Sequence, residues 1–124
     1  MHRFILLLIT YLITLFSAWG SNVHYSFTQL SLEEGLSQAS VQSILLDSRG
    51  NLWIGTKNGL NLYAQQKMTN YFHTLEDRYS IPNNHILQLA EDSLGNIWIS
   101  TPQGLASYNR ERNAFDTFMR ARVQ

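Results

Sequence analysis

Cysteine and any excess of one charge are both missing from this sequence. Because there is no cysteine, disulfides cannot hold a domain that is exported from the cell, so packing of the chain itself must do so. The 9 basic and 9 acidic residues give a formal net charge of zero. A neutral chain has no electrostatic attraction to nucleic acid or to an acidic membrane surface. Both are therefore excluded as primary partners.

The sequence also lacks a hydrophobic run long enough to cross a bilayer. The apolar segment over residues 4–16, extended to Trp19, falls short of the roughly 20 residues that a membrane-spanning helix needs. It follows the positive charge of Arg3 and precedes the triplet Ala18-Trp19-Gly20. This order predicts a signal peptide over residues 1–20, cleaved between Gly20 and Ser21, and export to a periplasm. An uncleaved signal anchor is the alternative.

What the sequence does contain is an internal repeat. The segment DSRGNLWIGTKNGLNLY, which begins at Asp47, returns 45 positions later as DSLGNIWISTPQGLASY, which begins at Asp92. The ten identical pairs are Asp47/Asp92, Ser48/Ser93, Gly50/Gly95, Asn51/Asn96, Trp53/Trp98, Ile54/Ile99, Thr56/Thr101, Gly59/Gly104, Leu60/Leu105 and Tyr63/Tyr108. A period of roughly 40–50 residues with short strands indicates β-propeller blades.

Each repeat predicts four antiparallel strands joined by two defined turns. The pattern Asp-Ser-x-Gly-Asn predicts a type I turn closed by a left-handed glycine, Gly50 or Gly95, and Thr-x-x-Gly predicts a second turn closed by Gly59 or Gly104. The tryptophan between these turns is expected in the core between blades. The predicted strands cover residues 41–46, 52–54, 60–63 and 70–73 in the first repeat, and 86–90, 97–99, 105–108 and 115–119 in the second. The predicted fold class is all-β, with about two four-stranded blades after an N-terminal signal-peptide helix.

The predicted domain organisation is an incomplete propeller. Residues 21–124 contain an N-terminal outer strand over 23–30 and repeats over about 31–75 and 76–119. In a closed ring, such an N-terminal strand would complete the last blade. Closed propellers have about 4–8 blades, so two repeats are too few to form a ring. We therefore expect a piece of a larger propeller, with further blades or self-association as the partners.

The first repeat closely resembles a known family. GLSQASVQSILLDSRGNLWIGTKNGLNLY, from Gly35 to Tyr63, is similar to the repeat of the two-component regulator propeller family, whereas the second copy has Ser100 where that family prefers glycine. The resemblance implies the periplasmic sensor of a Bacteroides-type hybrid histidine kinase, whose ligands are commonly oligosaccharides. No kinase or receiver motif can be assigned in this sequence. The chain itself is thus predicted to be no enzyme and to bind no cofactor.

Candidate ligand contacts lie in the connection between the two repeats. Such a connection opens on one rim of a propeller, where binding groups can occur. The candidate residues are Arg78, Tyr79, Asn83, Asn84 and His85. Asp47 and Asp92 supply one carboxylate per turn, whereas Ca²⁺ takes about 6–8 oxygens, so we interpret them as turn caps and predict no metal site. The repeat signature is Asp47, Gly50, Asn51, Trp53, Thr56, Gly59, Asp92, Gly95, Asn96, Trp98, Thr101 and Gly104.

Three functional hypotheses remain open at this point. The first is the N-terminal part of a periplasmic, oligosaccharide-responsive sensor. The second is a fragment of a propeller-type lyase or hydrolase, which would need a clustered general base and a metal carboxylate that the sequence does not reveal. The third is a small secreted protein whose two-blade chains assemble into a ring.

Overall fold

A computed structural model describes residues 1–16 and 20–120. Within these residues the chain forms helix α1 and two four-stranded antiparallel sheets, with strand orders β1-β2-β3-β4 and β5-β6-β7-β8. The elements are α1 His2–Phe16, β1 Val41–Leu46, β2 Leu52–Thr56, β3 Gly59–Ala64, β4 Lys67–Tyr71, β5 Gln88–Glu91, β6 Ile97–Thr101, β7 Gly104–Asn109 and β8 Ala114–Arg120. We call the first sheet blade 1 and the second blade 2. The predicted all-β fold with two four-stranded blades is confirmed.

Helix α1 is apolar, and its side chains from Phe4 to Leu8 are exposed. In the described part of the chain, no helix combines the length and the apolar character needed to cross a membrane. Ala18 and Trp19 of the predicted cleavage triplet lie outside the described residues. Signal-peptide cleavage therefore stays a prediction.

The first turn of each repeat has the predicted geometry. The Gly50 amide donates to the Asp47 carbonyl at 3.0 Å, and the Gly95 amide donates to the Asp92 carbonyl at 3.1 Å. Gly50 has a φ of 81° and Gly95 a φ of 82°. Glycine adopts this left-handed conformation without a steric penalty. Both repeats thus contain the same hairpin turn.

The outer strands differ from the predicted ones. Tyr63 pairs with Met68 in blade 1, but its counterpart Tyr108 pairs with Phe115, so the β7–β8 connection is two residues longer than the β3–β4 connection. Strand β4 covers 67–71 instead of 70–73, and β8 covers 114–120 instead of 115–119. Strand β5 begins at Gln88, two residues later than predicted.

The structure also differs from the prediction at residues 23–30. No strand is assigned to this segment. A strand requires a neighbour whose backbone groups can complete its hydrogen bonds. All strand pairings in the described residues lie within blade 1 or blade 2, so the predicted N-terminal outer strand has no ladder to join.

The two blades stack face to face around one apolar core. On blade 1, Trp53 pairs across the sheet with Leu45 and Leu62, and these residues share the face that contacts blade 2. The buried core residues are Trp53, Leu60, Ile81, Ile86, Leu89, Ile97, Ile99, Ala106 and Phe115. We call these contacting surfaces the paired faces, and the other surface of each blade its open face.

Gly55 permits the close approach of the two blades. A Cβ atom at this position would lie 2.4 Å from Cγ2 and 2.9 Å from Cβ of Ile86. Since nonbonded carbon atoms do not approach that closely, only glycine fits here without a shift of one blade. The Ile86 amide donates to the Thr56 carbonyl at 2.9 Å, which fixes the contact beside this glycine.

Polar groups link the blades at both ends of the strands. The Gly59 amide donates to the Asn84 carbonyl at 2.7 Å. At the other end, the Ser48 amide donates to the Glu91 carboxylate at 2.9 Å. The stack therefore has a fixed register as well as an apolar core.

Candidate functional site

The repeat-signature aspartates cap their turns and also bind the tryptophan rings. Oδ1 of Asp47 accepts the amides of Arg49 and Asn51, both at 2.9 Å, while Oδ2 accepts Nε1 of Trp53 at 2.9 Å. In blade 2, Oδ2 of Asp92 likewise accepts Nε1 of Trp98 at 3.0 Å. The bond from the indole was not predicted from the sequence. It ties each hairpin turn to the strand that follows it.

Both carboxylates are held in the ionised form. Burial by itself would raise the pKa of Asp47, but hydrogen bonds from Trp53, Asn51 and Arg49, together with the nearby Arg110 guanidinium, outweigh burial and lower the pKa. For Asp92, the hydrogen bond from the Trp98 indole and then those from Asn96 lower the pKa to about 2. Groups that are ionised at neutral pH and already accept several hydrogen bonds are poor general acids.

The two signature tryptophans occupy different environments. Trp53 is fully buried, with the Tyr108 ring edge-on at 4.8 Å and the Tyr71 ring stacked at 6.3 Å between centroids. Trp98 is only partly buried and contacts the Phe118 ring at 5.1 Å. The predicted position in a core between blades is observed for Trp53 and stays a prediction for Trp98. The reason is that Trp98 lies on the open face of blade 2, where no described sheet covers it.

The predicted ligand-contact residues divide into two groups. In the first group, Oδ1 of Asn84 accepts the His73 amide and Nδ2 of Asn83 donates to Oε1 of Gln103, both at 2.6 Å. Oδ1 of Asn83 also accepts the His85 amide at 2.8 Å. The structure thus uses both asparagine side chains to hold the connection between the blades in place.

Arg78 and Tyr79 form the second group, at the outer edge of blade 2. The Tyr79 carbonyl accepts the Phe115 amide at 2.8 Å, which attaches this segment to β8. Tyr79 is 38% exposed. The guanidinium carbons of Arg78 and Arg112 lie 4.9 Å and 4.7 Å from the ring centroid. An open groove of about 270 Å³ is lined by Arg78, Tyr79, Phe115, Asp116, Thr117 and Arg120.

A second, larger groove was not predicted. It has a volume of about 650 Å³ and is lined in part by Asn96 and Arg110. Nη2 of Arg110 donates to the Gly95 carbonyl at 3.2 Å and lies 3.9 Å from Oδ2 of Asp47. Arg110 therefore joins the first hairpin turns of both blades. Its counterpart in the first repeat is Gln65. Comparison of the two repeats therefore could not predict this contact.

Asn61 was also missed by the sequence analysis. It is fully buried, with Oδ1 accepting the Ser37 amide at 2.9 Å and Nδ2 donating to the Ile54 carbonyl at 3.1 Å. Alanine stands at the equivalent position 106. This side chain fastens the segment before β1 onto the open face of blade 1.

Stacked sheets in which four antiparallel strands follow each other in chain order are the blades of a β-propeller. Residues 35–58 and 80–103 match the two component regulator propeller repeat. These two segments of the chain thus carry the two-component regulator propeller repeat.

A relative of this chain is a much longer protein. The chain is 40% identical over 79 residues to Histidine kinase P4 of Formosa agariphila, an alignment that covers 63% of this chain and 6% of that protein. The chain therefore spans only a small part of the curated relative that it matches.

Solved structures share the fold. One is the "extracellular domain of the putative hybrid two component system BT3049" from B. thetaiotaomicron, which is 33% identical with a TM-score of 0.66 over 73% of this chain and 13% of that one. The extracellular domain of BT4673 from the same organism has a TM-score of 0.60 at 22% identity, over 77% of this chain and 14% of that one. The second likeness shows the fold alone.

Proposed function

We propose that this chain forms part of the extracellular, ligand-sensing propeller of a hybrid two-component sensor. The observation that carries this proposal is the match of both blades to the two component regulator propeller repeat. The 33% identity to an extracellular domain of that kind of system supports it. The signature carboxylates of the blades are engaged in structural hydrogen bonds. We therefore assign the blades a role in recognition, and assign signal transfer to other segments of the sensor.

We further propose that the chain reaches the periplasm through a cleaved signal peptide over residues 1–20. Helix α1 supports this, because it is apolar, follows Met1 directly and is 15 residues long, shorter than the roughly 20 residues of a spanning helix. Mass spectrometry of the exported protein is expected to find Ser21 at the N-terminus. An intact Met1 on membrane-bound protein would contradict cleavage and support the anchor.

The proposed ligand is an oligosaccharide that contacts Arg78, Tyr79, Asn83, Asn84 and His85. The support is local: the Tyr79 ring is partly exposed in a groove beside two guanidinium groups. Ligand sites typically combine an aromatic surface with a few placed polar groups that fix the orientation of the ligand. Tyr79 is the residue whose side chain best meets that description.

Binding to a panel of oligosaccharides, measured by calorimetry, tests the ligand and the site separately. We expect one oligosaccharide to bind, and Tyr79→Ala to weaken binding without lowering the thermal unfolding temperature. Tyr25→Ala is the matched control, because Tyr25 is also exposed but lies in the segment without strands. No binding by the parent chain would argue against the ligand class. Binding unaffected by Tyr79→Ala would move the site elsewhere on the blades.

A further inference from the structure

The sequence contains a single Asn-Gly pair, and the structure places it in the turn between β2 and β3. In such a pair the asparagine side chain loses its amide most readily, because glycine has no side chain to hinder attack by its backbone nitrogen. Asn58 is exposed. Its backbone amide donates to Oγ1 of Thr56 at 3.1 Å, and among the described residues its side-chain amide has no hydrogen-bond partner.

The nucleophile of this reaction would be the Gly59 amide nitrogen, which is held by a bond between the blades. The Gly59 amide donates to the Asn84 carbonyl at 2.7 Å. The nitrogen can attack only after it has lost its proton, and a hydrogen-bonded amide gives up its proton only when the bond opens. Blade 1 thus carries the reactive pair, and the connection that leads into blade 2 carries the acceptor that suppresses the reaction.

Two further contacts keep this bond closed. Oδ1 of Asn84 accepts the His73 amide at 2.6 Å, which fixes the connection that carries the acceptor. Two residues further on, the Ile86 amide donates to the Thr56 carbonyl at 2.9 Å, and the Ile86 side chain is fully buried. We therefore expect the Gly59 bond to open together with this end of the contact between the blades.

We propose that Asn58 is a site of spontaneous deamidation whose rate is set by opening of the contact between the blades. A hydroxide ion removes the Gly59 amide proton, and the nitrogen forms a bond to Cγ of Asn58. The bond from Cγ to Nδ2 breaks, and Nδ2 leaves as ammonia after it takes a proton from water. A water molecule then opens the cyclic imide, at Cγ to give aspartate or at the backbone carbonyl to give isoaspartate. This proposal does not rest on the sensor function.

The isoaspartate product cannot restore the original turn. Its backbone runs through the side chain of position 58, so an additional methylene group lies in the main chain before Gly59. The space there is already filled, since a Cβ atom on Gly59 would lie 2.8 Å from Cε1 of Phe72 and 2.9 Å from Oγ of Ser37. The longer backbone therefore displaces the Gly59 amide from the Asn84 carbonyl. Each opening that leads to reaction leaves a permanent loosening of the contact between the blades.

Mass spectrometry and hydrogen exchange of the full chain test the proposal. In mildly alkaline buffer, we expect Asn58 to convert to the acid at least about tenfold more slowly in the folded chain than in urea. The Gly59 amide should be protected from hydrogen exchange to a similar extent. Equal deamidation rates in the folded and the unfolded chain would overturn the proposal. Rapid exchange of the Gly59 amide in a folded chain whose Asn58 does not react would also overturn it.

Ile86→Ala tests whether the contact between the blades controls the reaction. Loss of this buried side chain weakens the contact beside Gly59, so we expect deamidation of Asn58 and exchange of the Gly59 amide to become faster by the same factor, at least about tenfold. Asn84→Ala is a milder variant, because it removes the bond from the His73 amide and keeps the Asn84 carbonyl. It should accelerate both rates by a smaller factor. Unchanged deamidation in both variants, while circular dichroism shows folded sheets, would contradict the proposal.

Asn58→Gln is the matched control. Glutamine stands at the equivalent position of the second repeat, Gln103, so it fits this turn. The longer side chain would have to close a larger ring, so position 58 should not convert in the time that the parent chain needs. After long incubation, the parent chain should lose stability in urea unfolding and Asn58→Gln should not. An equal loss of stability in the two proteins would show that the loosening does not arise at Asn58.

Discussion

Replacing Asp47 by asparagine removes one hydrogen bond from the core of blade 1 and leaves the turn in place. The asparagine oxygen can still accept the amides of Arg49 and Asn51, as Oδ1 of Asp47 does at 2.9 Å. The asparagine NH₂ group, however, faces Nε1–H of Trp53, which donates to Oδ2 at 2.9 Å. Two donors then point at each other at a distance suited to a hydrogen bond.

The expected cost follows from the burial of Trp53. The indole is fully buried, and the Asp47 side chain is 0% exposed, so water cannot replace the lost acceptor. A buried donor without a partner costs about 1–3 kcal/mol. The Arg110 guanidinium, 3.9 Å from Oδ2, adds a smaller loss because it is partly exposed. We therefore expect Asp47→Asn to lower the free energy of unfolding by roughly 2–3 kcal/mol.

Urea unfolding followed by circular dichroism measures this loss, and Asp92→Asn is the control. The chemical change is the same, but Trp98 is partly exposed, so water can accept its N–H and the loss should be clearly smaller. Hydrogen exchange of the Trp53 indole should also become faster in Asp47→Asn. If both variants lose the same stability, or Asp47→Asn loses none, the buried indole bond does not contribute as we have argued.

Three further predictions concern the stability of the two blades. The pKa of Asp92 is about 2 in the folded protein and about 3.9 in the unfolded chain, so its contribution to stability is complete above pH ~4 and is lost as the pH falls towards 2. The free energy of unfolding of Asp92→Asn should therefore depend less on pH between ~4 and ~2 than that of the parent chain. An equal pH dependence of the two proteins would contradict the lowered pKa. Gly55→Ala should lower the free energy of unfolding by about 1–3 kcal/mol through overpacking. Ile86→Ala should lower it less in the Gly55→Ala background than in the parent chain. Additive losses in this double-mutant cycle would contradict a direct contact between the two positions. In urea unfolding, Trp53→Ala should lower the free energy of unfolding by roughly 3–5 kcal/mol, and Trp98→Ala should lower it clearly less. Equal losses would contradict this prediction, because they would mean that both rings are buried in solution.

The fold could be predicted because its determinants are local and occur twice. The turn residues of Asp-Ser-x-Gly-Asn and the central tryptophan lie within seven positions of each other, and each blade closes its own ladder. The outer strands were predicted less well. A two-residue difference between the β3–β4 and β7–β8 connections shifts the pairing of β8 without disturbing the repeat upstream.

The candidate site could be predicted only in part, because its contacts join segments that are distant in sequence. The side chains of Asn83 and Asn84 bond within the connection and to a neighbouring turn, which no local pattern indicates. Arg110 bridges two turns, and its counterpart in the other repeat is not arginine. The exposure of Trp98 depends on what covers its sheet, and this cannot be deduced from a motif that is shared with the buried Trp53.

The pairing of every strand with its neighbour in sequence has a consequence for folding kinetics. In the described residues, all ladders join consecutive strands of one blade, so each blade closes only short loops and loses little entropy before its first hydrogen bonds form. Stacking of the blades, which needs contacts between residues more than 40 positions apart such as Ser48 and Glu91, follows as a later step. A chain built in this way can gain or lose one blade without rethreading any strand, so its length is set by the number of duplicated units and its topology is unaffected.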